Sequence, residues 1–103
     1  MALVSYNATI STANSDVTLF TVASGKELIV VGTRIYGGAN GGTVTLTKYN
    51  GGSAVFEEKY TLGGGDVLAL DSKIAFPAGY AWKVKSDTTG VKIDVNGSLA
   101  TAS

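Results

Sequence analysis

The stretch YAWKVKSDTTGVKIDVN, residues 80–96, decides the fold class, because apolar and polar side chains alternate on both sides of a turn. Alternation with a period of two is typical of antiparallel strands that bury one face and expose the other. Between the two runs, Asp87-Thr88-Thr89-Gly90 places Asp and Gly at the first and fourth positions of a type I turn, which favours them there. The stretch therefore predicts two half-buried strands joined as a hairpin.

The rest of the chain has the composition of short strands. Its 103 residues suffice for one domain, and fourteen glycines and one proline separate segments rich in Val, Ile, Thr, Tyr and Phe. The predicted strands are Leu3–Ile10, Val17–Val22, Glu27–Tyr36, Thr43–Asn50, Ala54–Leu62, Val67–Leu70, Tyr80–Ser86 and Val91–Leu99. About eight strands at this spacing predict a single all-β domain over residues 1–103, an antiparallel β-sandwich or jelly roll.

The inward positions of these strands predict the core. Trp82 is its expected anchor, because it alternates with apolar neighbours on one face of its strand. The loop Gly37–Gly42 is expected to be mobile, since glycine buries no side chain that could offset the entropy of ordering it. The predicted core residues are Leu28, Val30, Val44, Leu46, Leu68, Leu70, Trp82, Val84, Ile93 and Val95.

Composition argues against several classes of function. Eight basic and eight acidic residues cancel, so the chain has no bulk charge that would attract nucleic acid or an anionic membrane. It has neither Cys nor His, which removes thiolate catalysis, disulfides, Cys-based zinc sites and the usual acid–base group at neutral pH. We therefore predict no enzyme activity, no catalytic, cofactor-binding or metal-binding residue, and no cofactor.

The amino terminus lacks the basic and apolar regions of a secretory signal. Apolar runs such as Leu28–Val31 are far shorter than the roughly 20 residues of a membrane helix. The chain is therefore expected to be soluble in the compartment where it is made, with no nucleic-acid or membrane partner.

Four segments carry a resemblance to a known group of proteins: Leu19–Val31, Gly65–Leu70, Ile74–Ser86 and Val91–Gly97. In this order they resemble small structural proteins of tailed-phage virions, which are built from a single β-sandwich or jelly-roll domain. Such proteins often show an apolar strand, a Pro-Ala-Gly turn, a strand ending in Lys-Ser and a final Val-x-Val-x-x-Gly strand. This chain has Tyr80 where the group usually has Asp after the Pro-Ala-Gly turn.

The resemblance implies a virion component made in the host cytoplasm without a signal peptide. Within the particle it implies a capsid decoration, or cement, protein bound to the outer shell. The implied partners are further copies of the chain, with a trimer favoured, and the major capsid protein or another virion protein. A neck, tail or fibre component is the alternative within the same class, because the same kind of domain is used at those places.

The amino-terminal segment is the candidate contact with the particle, because a terminal strand can pair with a partner's sheet as well as with its own. Residues 1–10 are therefore either an extended arm that the fold does not need, or the first strand of the domain. The predicted interface residues are Met1, Ala2, Leu3, Val4, Ser5, Tyr6, Tyr36 and Tyr49.

A non-catalytic carbohydrate-binding module is the alternative from a different functional class. Such a module presents aromatic side chains on one face of a sandwich, where they stack on sugar rings. Trp82 alternates with presumed core residues, so only tyrosines remain for such a face, with Tyr36 and Tyr49 as the candidates.

Overall fold

The computed structural model describes residues 2–101 and confirms an all-β fold of antiparallel strands. A short strand that the sequence did not predict precedes the proline turn at residues 77–79. The strands are β1 (Ala2–Thr9), β2 (Val17–Thr21), β3 (Lys26–Tyr36), β4 (Gly42–Asn50), β5 (Ser53–Leu62), β6 (Val67–Leu70), β7 (Ile74–Phe76), β8 (Tyr80–Ser86) and β9 (Lys92–Thr101).

The strands form two sheets that face each other. The first sheet has the order β1-β9-β3-β6, with β7 also on β3, and the second has the order β2-β8-β4-β5. β6 and β7 run along β3 as one interrupted strand, since Thr33 pairs with Leu70 and Val30 pairs with Ile74. If β6 and β7 are counted as one strand, the fold has eight strands in two four-stranded sheets. This is the arrangement of a jelly roll.

The two strands of residues 80–96 belong to different sheets, so the predicted hairpin is wrong. β8 pairs with β2 and β4, whereas β9 pairs with β1 and β3. The connection between them crosses one end of the sandwich, where the Asp87 Oδ1 accepts a hydrogen bond of 2.8 Å from the Thr43 amide. The inward faces of β8 and β9 therefore meet across the core instead of lying side by side.

The core fills the space between the sheets. Leu68 and Leu70, predicted to be core residues, are only half-buried because β6 is an edge strand. The other predicted core residues are buried: Leu28, Val30, Val44, Leu46, Trp82, Val84, Ile93 and Val95. The core also includes buried residues that were not predicted: Ile10, Leu19, Phe20, Val22, Ile35, Leu62 and Phe76.

An aromatic cluster lies at the centre of this core. The Phe76 ring meets the Phe20 ring edge to face with centroids 4.8 Å apart, and its centroid lies 5.4 Å from that of Trp82. Edge-to-face and tilted pairs at these distances stabilise a core beyond the apolar area that they bury. The Lys48 Nζ lies 4.8 Å from the Phe76 centroid and donates a hydrogen bond to the Ala75 carbonyl.

Three glycine-containing loops meet at one end of the sandwich, which we call the glycine end: residues 37–41, 63–66 and 87–90. The first of them, expected to be mobile, is held by backbone hydrogen bonds from the Gly37 amide to the Asp66 carbonyl and from the Gly65 amide to the Gly38 carbonyl. A Cβ on Gly38 would lie 2.6 Å from the Gly90 carbonyl oxygen. Glycine lets these backbones approach closely enough to bond one another, and the bonds offset the entropy of ordering the loops.

Candidate interaction surfaces

The amino-terminal segment is an edge strand of the first sheet. β1 pairs with β9 along its whole length, from Ala2 to Thr9. Its other edge has no partner strand within residues 2–101. Residues 2–9 are therefore the first strand of the sandwich, while Met1 lies outside the described residues.

The two faces of β1 differ in exposure. Val4 and Tyr6 are half-buried and pack against the core, and the Tyr6 ring centroid lies 5.1 Å from that of Phe20. Leu3 and Ser5 point outward, and Leu3 is 90% exposed. Ala2 is also exposed. Leu3 is thus a large apolar side chain that β1 exposes to solvent.

The two predicted interface tyrosines beyond β1 lie on opposite outer faces of the sandwich. Tyr36 follows the buried Ile35 on β3 and points away from the core of the first sheet. Tyr49 lies on the outer face of the second sheet, where the Lys83 Nζ is 4.7 Å from its ring centroid. The structure does not bring these two tyrosines into one surface.

A polar groove runs along the outer face of the second sheet. It has a volume of about 400 Å³ and contains charges of both signs, with the Lys59 Nζ 3.5 Å from a Glu57 carboxylate oxygen. Thr45 and Thr47 of β4 are buried in this face because longer side chains on β5 and β8 flank them. The groove is lined by Asn14, Thr43, Thr45, Glu57, Lys59, Lys85 and Asp87.

A second cavity, which we call the lateral cleft, opens between the two sheets beside β5. Its volume is about 260 Å³, and it is lined by Thr33, Glu58, Tyr60, Leu70, Ser72, Ile74 and Trp82. Within it, the Tyr60 hydroxyl donates a hydrogen bond to the Glu58 carboxylate. Burial, this hydrogen bond and the negative charge of Glu58 all favour the neutral phenol, and they raise the pKa of Tyr60 to about 12.

The raised pKa of Tyr60 predicts a loss of stability in strong base. The folded chain keeps this proton up to about pH 12, whereas an unfolded tyrosine loses it near pH 10. The free energy of unfolding should therefore fall as the pH rises through this interval, since the unfolded state binds fewer protons there. Denaturant titrations between pH 9 and about pH 12 should show a shallower fall for Tyr60→Phe. Tyr36→Phe is the control, and an equal change in both variants would contradict the assignment.

The edge strand β5 is a further candidate surface that the sequence did not indicate. Its outer edge has no partner strand within residues 2–101, and Val55 and Phe56 are exposed, Phe56 by 60%. Glu57 and Lys59 are exposed beside them. One sign of it in the sequence is that apolar and polar residues do not alternate strictly in VFEEKY, residues 55–60. This is expected of an edge strand with solvent on both faces.

Within residues 2–101, no three acidic side chains are grouped so that they could hold a metal ion. The same part of the chain has no helix that is both long and apolar enough to cross a membrane. No protein-family model and no curated protein matches this chain.

Proposed function

We propose that this chain is a structural component of a tailed-phage virion, and specifically a capsid decoration protein that binds the outer shell as a homo-oligomer, with a trimer favoured. The observation that carries the proposal is the amino-terminal edge strand β1, whose outer edge is unpaired within residues 2–101 and whose Leu3 is 90% exposed. Jelly rolls are common in viral capsid proteins, and this association of fold and role supports the proposal together with the resemblance of the sequence.

The geometry of β1 explains how such a protein would bind. An unpaired edge offers a row of backbone donors and acceptors, to which a strand of the major capsid protein or of another subunit can add. Leu3 would then fill an apolar pocket of the partner, which supplies specificity. Because Val4 and Tyr6 of β1 pack against the core, the partner would be held on a rigid body.

Two alternatives rest on the same surfaces. A neck, tail or fibre component would use the same edge of β1 against a different virion protein. A carbohydrate-binding module has less support, because Tyr36 and Tyr49 lie on opposite faces and cannot stack on one sugar. The polar groove beside Thr45 is the surface that remains for such a ligand.

The decoration role predicts that Leu3→Asp prevents binding to the shell without unfolding the chain. Substituting a nearly fully exposed side chain changes the free energy of unfolding by no more than about 0.5 kcal/mol. A charge placed in an apolar contact, by contrast, should weaken binding by roughly tenfold or more. The measurement is co-sedimentation of the purified protein with capsids assembled without it. Unfolding curves of the variant and the wild type should coincide.

The matched control is Val67→Asp, which places the same charge on an exposed apolar residue at the opposite edge of the same sheet. It should bind like the wild type. Equal losses in the two variants, or no loss in Leu3→Asp, would contradict the role of β1. Light scattering of the free protein tests the oligomer, with a trimer mass expected.

A further inference from the structure

The outer edge of β5, which no strand within residues 2–101 pairs with, is self-complementary in the charges of its outer face. β5 has ten residues, and its centre reads Phe56-Glu57-Glu58-Lys59-Tyr60. Glu57 and Lys59 point to the outer face of the second sheet, opposite Thr47 and Thr45 of β4, and both are exposed. A strand with an acid and a base two residues apart on one face can pair with an antiparallel copy of itself so that each acid meets a base.

We infer that β5 is a contact between two copies of this chain, in which the two β5 strands pair antiparallel about a two-fold axis at Glu58. In this register Glu57 of each copy lies opposite Lys59 of the other, so the contact forms two opposite-charge pairs. The paired strands would join the two four-stranded sheets into one sheet of eight. This inference goes beyond the proposed function and does not depend on it.

The charges select this register over its neighbours. Sliding one strand by two residues places Glu57 opposite Glu57, or Lys59 opposite Lys59, and like charges directly opposite destabilise a strand pair. A slip of one residue would place the inner-face side chains of one copy opposite the outer-face side chains of the other. The register centred on Glu58 is therefore the one that forms two opposite-charge pairs on the outer face, and these outweigh the one like-charge contact between the two Glu58 side chains.

The other face of the same register covers the exposed aromatic residue. Phe56 and Tyr60 lie on the inner face of β5, opposite Lys48 and Val44. Pairing about Glu58 brings Phe56 of each copy opposite Tyr60 of the other, and aromatic cross-strand pairs stabilise antiparallel sheets. A phenylalanine ring that is 60% exposed in the single chain would thereby lose much of its contact with water.

One interaction in this contact is unfavourable and gives a sharp test. The two Glu58 side chains face each other at the axis, each accepting a hydrogen bond from the Tyr60 hydroxyl of its own chain. Their like charges oppose association. Glu58→Gln keeps an oxygen that can accept the Tyr60 bond and removes the repulsion, so this variant should associate more tightly than the wild type.

The experiment is a charge exchange read by sedimentation equilibrium over a range of protein concentration. Lys59→Glu and Glu57→Lys each turn both pairs repulsive, so each alone should raise the dissociation constant of the contact by about tenfold or more. The double variant E57K/K59E has the composition of the wild type with its charges exchanged, and it should recover the wild-type constant. An equimolar mixture of the two single variants should form mixed pairs, in which each acid at positions 57 and 59 again faces a base.

The outcome distinguishes a contact between two copies from an edge strand whose charges prevent pairing. Charged residues on edge strands can also serve to prevent pairing. If so, the wild type and Lys59→Glu will have the same mass at every concentration, and the inference is overturned. Failure of the two single variants to associate when mixed would overturn it as well. A trimer formed through other surfaces does not interfere, because the contact would then join trimers into larger assemblies, and the charge-reversed variants would remain trimers.

Discussion

Replacing Phe76 by Ala is expected to lower the free energy of unfolding by about 3–5 kcal/mol. Phe76 is completely buried and contacts both Phe20 and Trp82, so the change removes the most deeply buried ring of the aromatic cluster. Truncating a buried Phe costs ~3–5 kcal/mol through lost burial and the cavity that remains. A domain of this size has a free energy of unfolding of roughly 5–15 kcal/mol, so one such change can consume most of it.

Trp82 reports the result directly, since it is the only tryptophan and is buried beside Phe76. Its emission should shift to longer wavelength at a lower denaturant concentration in Phe76→Ala than in the wild type. Phe56→Ala removes the same side chain from an exposed position and, in dilute protein, should change stability by no more than about 0.5 kcal/mol. Equal midpoints for the two variants would show that Phe76 does not support the core as described.

Gly41→Ala is expected to destabilise the glycine end by about 2–5 kcal/mol. Gly41 has a φ of +66°, a left-handed conformation that costs a residue with a Cβ about 1–2 kcal/mol. The added Cβ would also lie 2.6 Å from the Gly63 carbonyl carbon and against the Leu62 carbonyl oxygen. These are backbone atoms that cannot turn away, and such overpacking costs typically 1–3 kcal/mol more.

Gly51→Ala is the matched control for Gly41→Ala. Gly51 lies at the tip of the hairpin between β4 and β5 with a φ of +61°, and a Cβ there would meet nothing within 4 Å. It should therefore show only the conformational cost of about 1–2 kcal/mol. Denaturant midpoints of both variants separate the two causes. If Gly41→Ala is no more destabilised than Gly51→Ala, the loops of the glycine end are not in close contact.

The fold class could be predicted from the sequence because alternation is a property of single strands. The pairing of strands could not, because two successive strands show the same inward pattern whether they lie side by side or face each other across a core. This is why Trp82 and Ile93 were both expected to point inward, yet the hairpin between their strands was wrong. The connection of residues 87–91 has turn residues suited to either path.

Bulges limited what could be predicted about the surfaces. In β3, the inward residues are Leu28 and Val30 before a register shift, and Thr33 and Ile35 after it. An extra residue of this kind reverses the face of every later side chain, and nothing in the local sequence required it at Val31. The sequence alone therefore could not show that Tyr36 lies on the outer face of the first sheet. The exposure of β5 was hard to predict for a different reason, since it follows from a position at the sheet edge, of which the broken alternation of residues 55–60 is only a weak local sign.

The position of β9 governs how the chain can reach its folded state. β9 is an inner strand of the first sheet, and β1 and β3 each pair with it and not with one another. During synthesis, β1 must therefore remain without its neighbour until residues 92–101 have left the ribosome. Folds that depend on such distant pairing typically form in milliseconds to seconds, more slowly than helical domains of similar size. An unpaired β1 is also a strand that another chain can capture during that time.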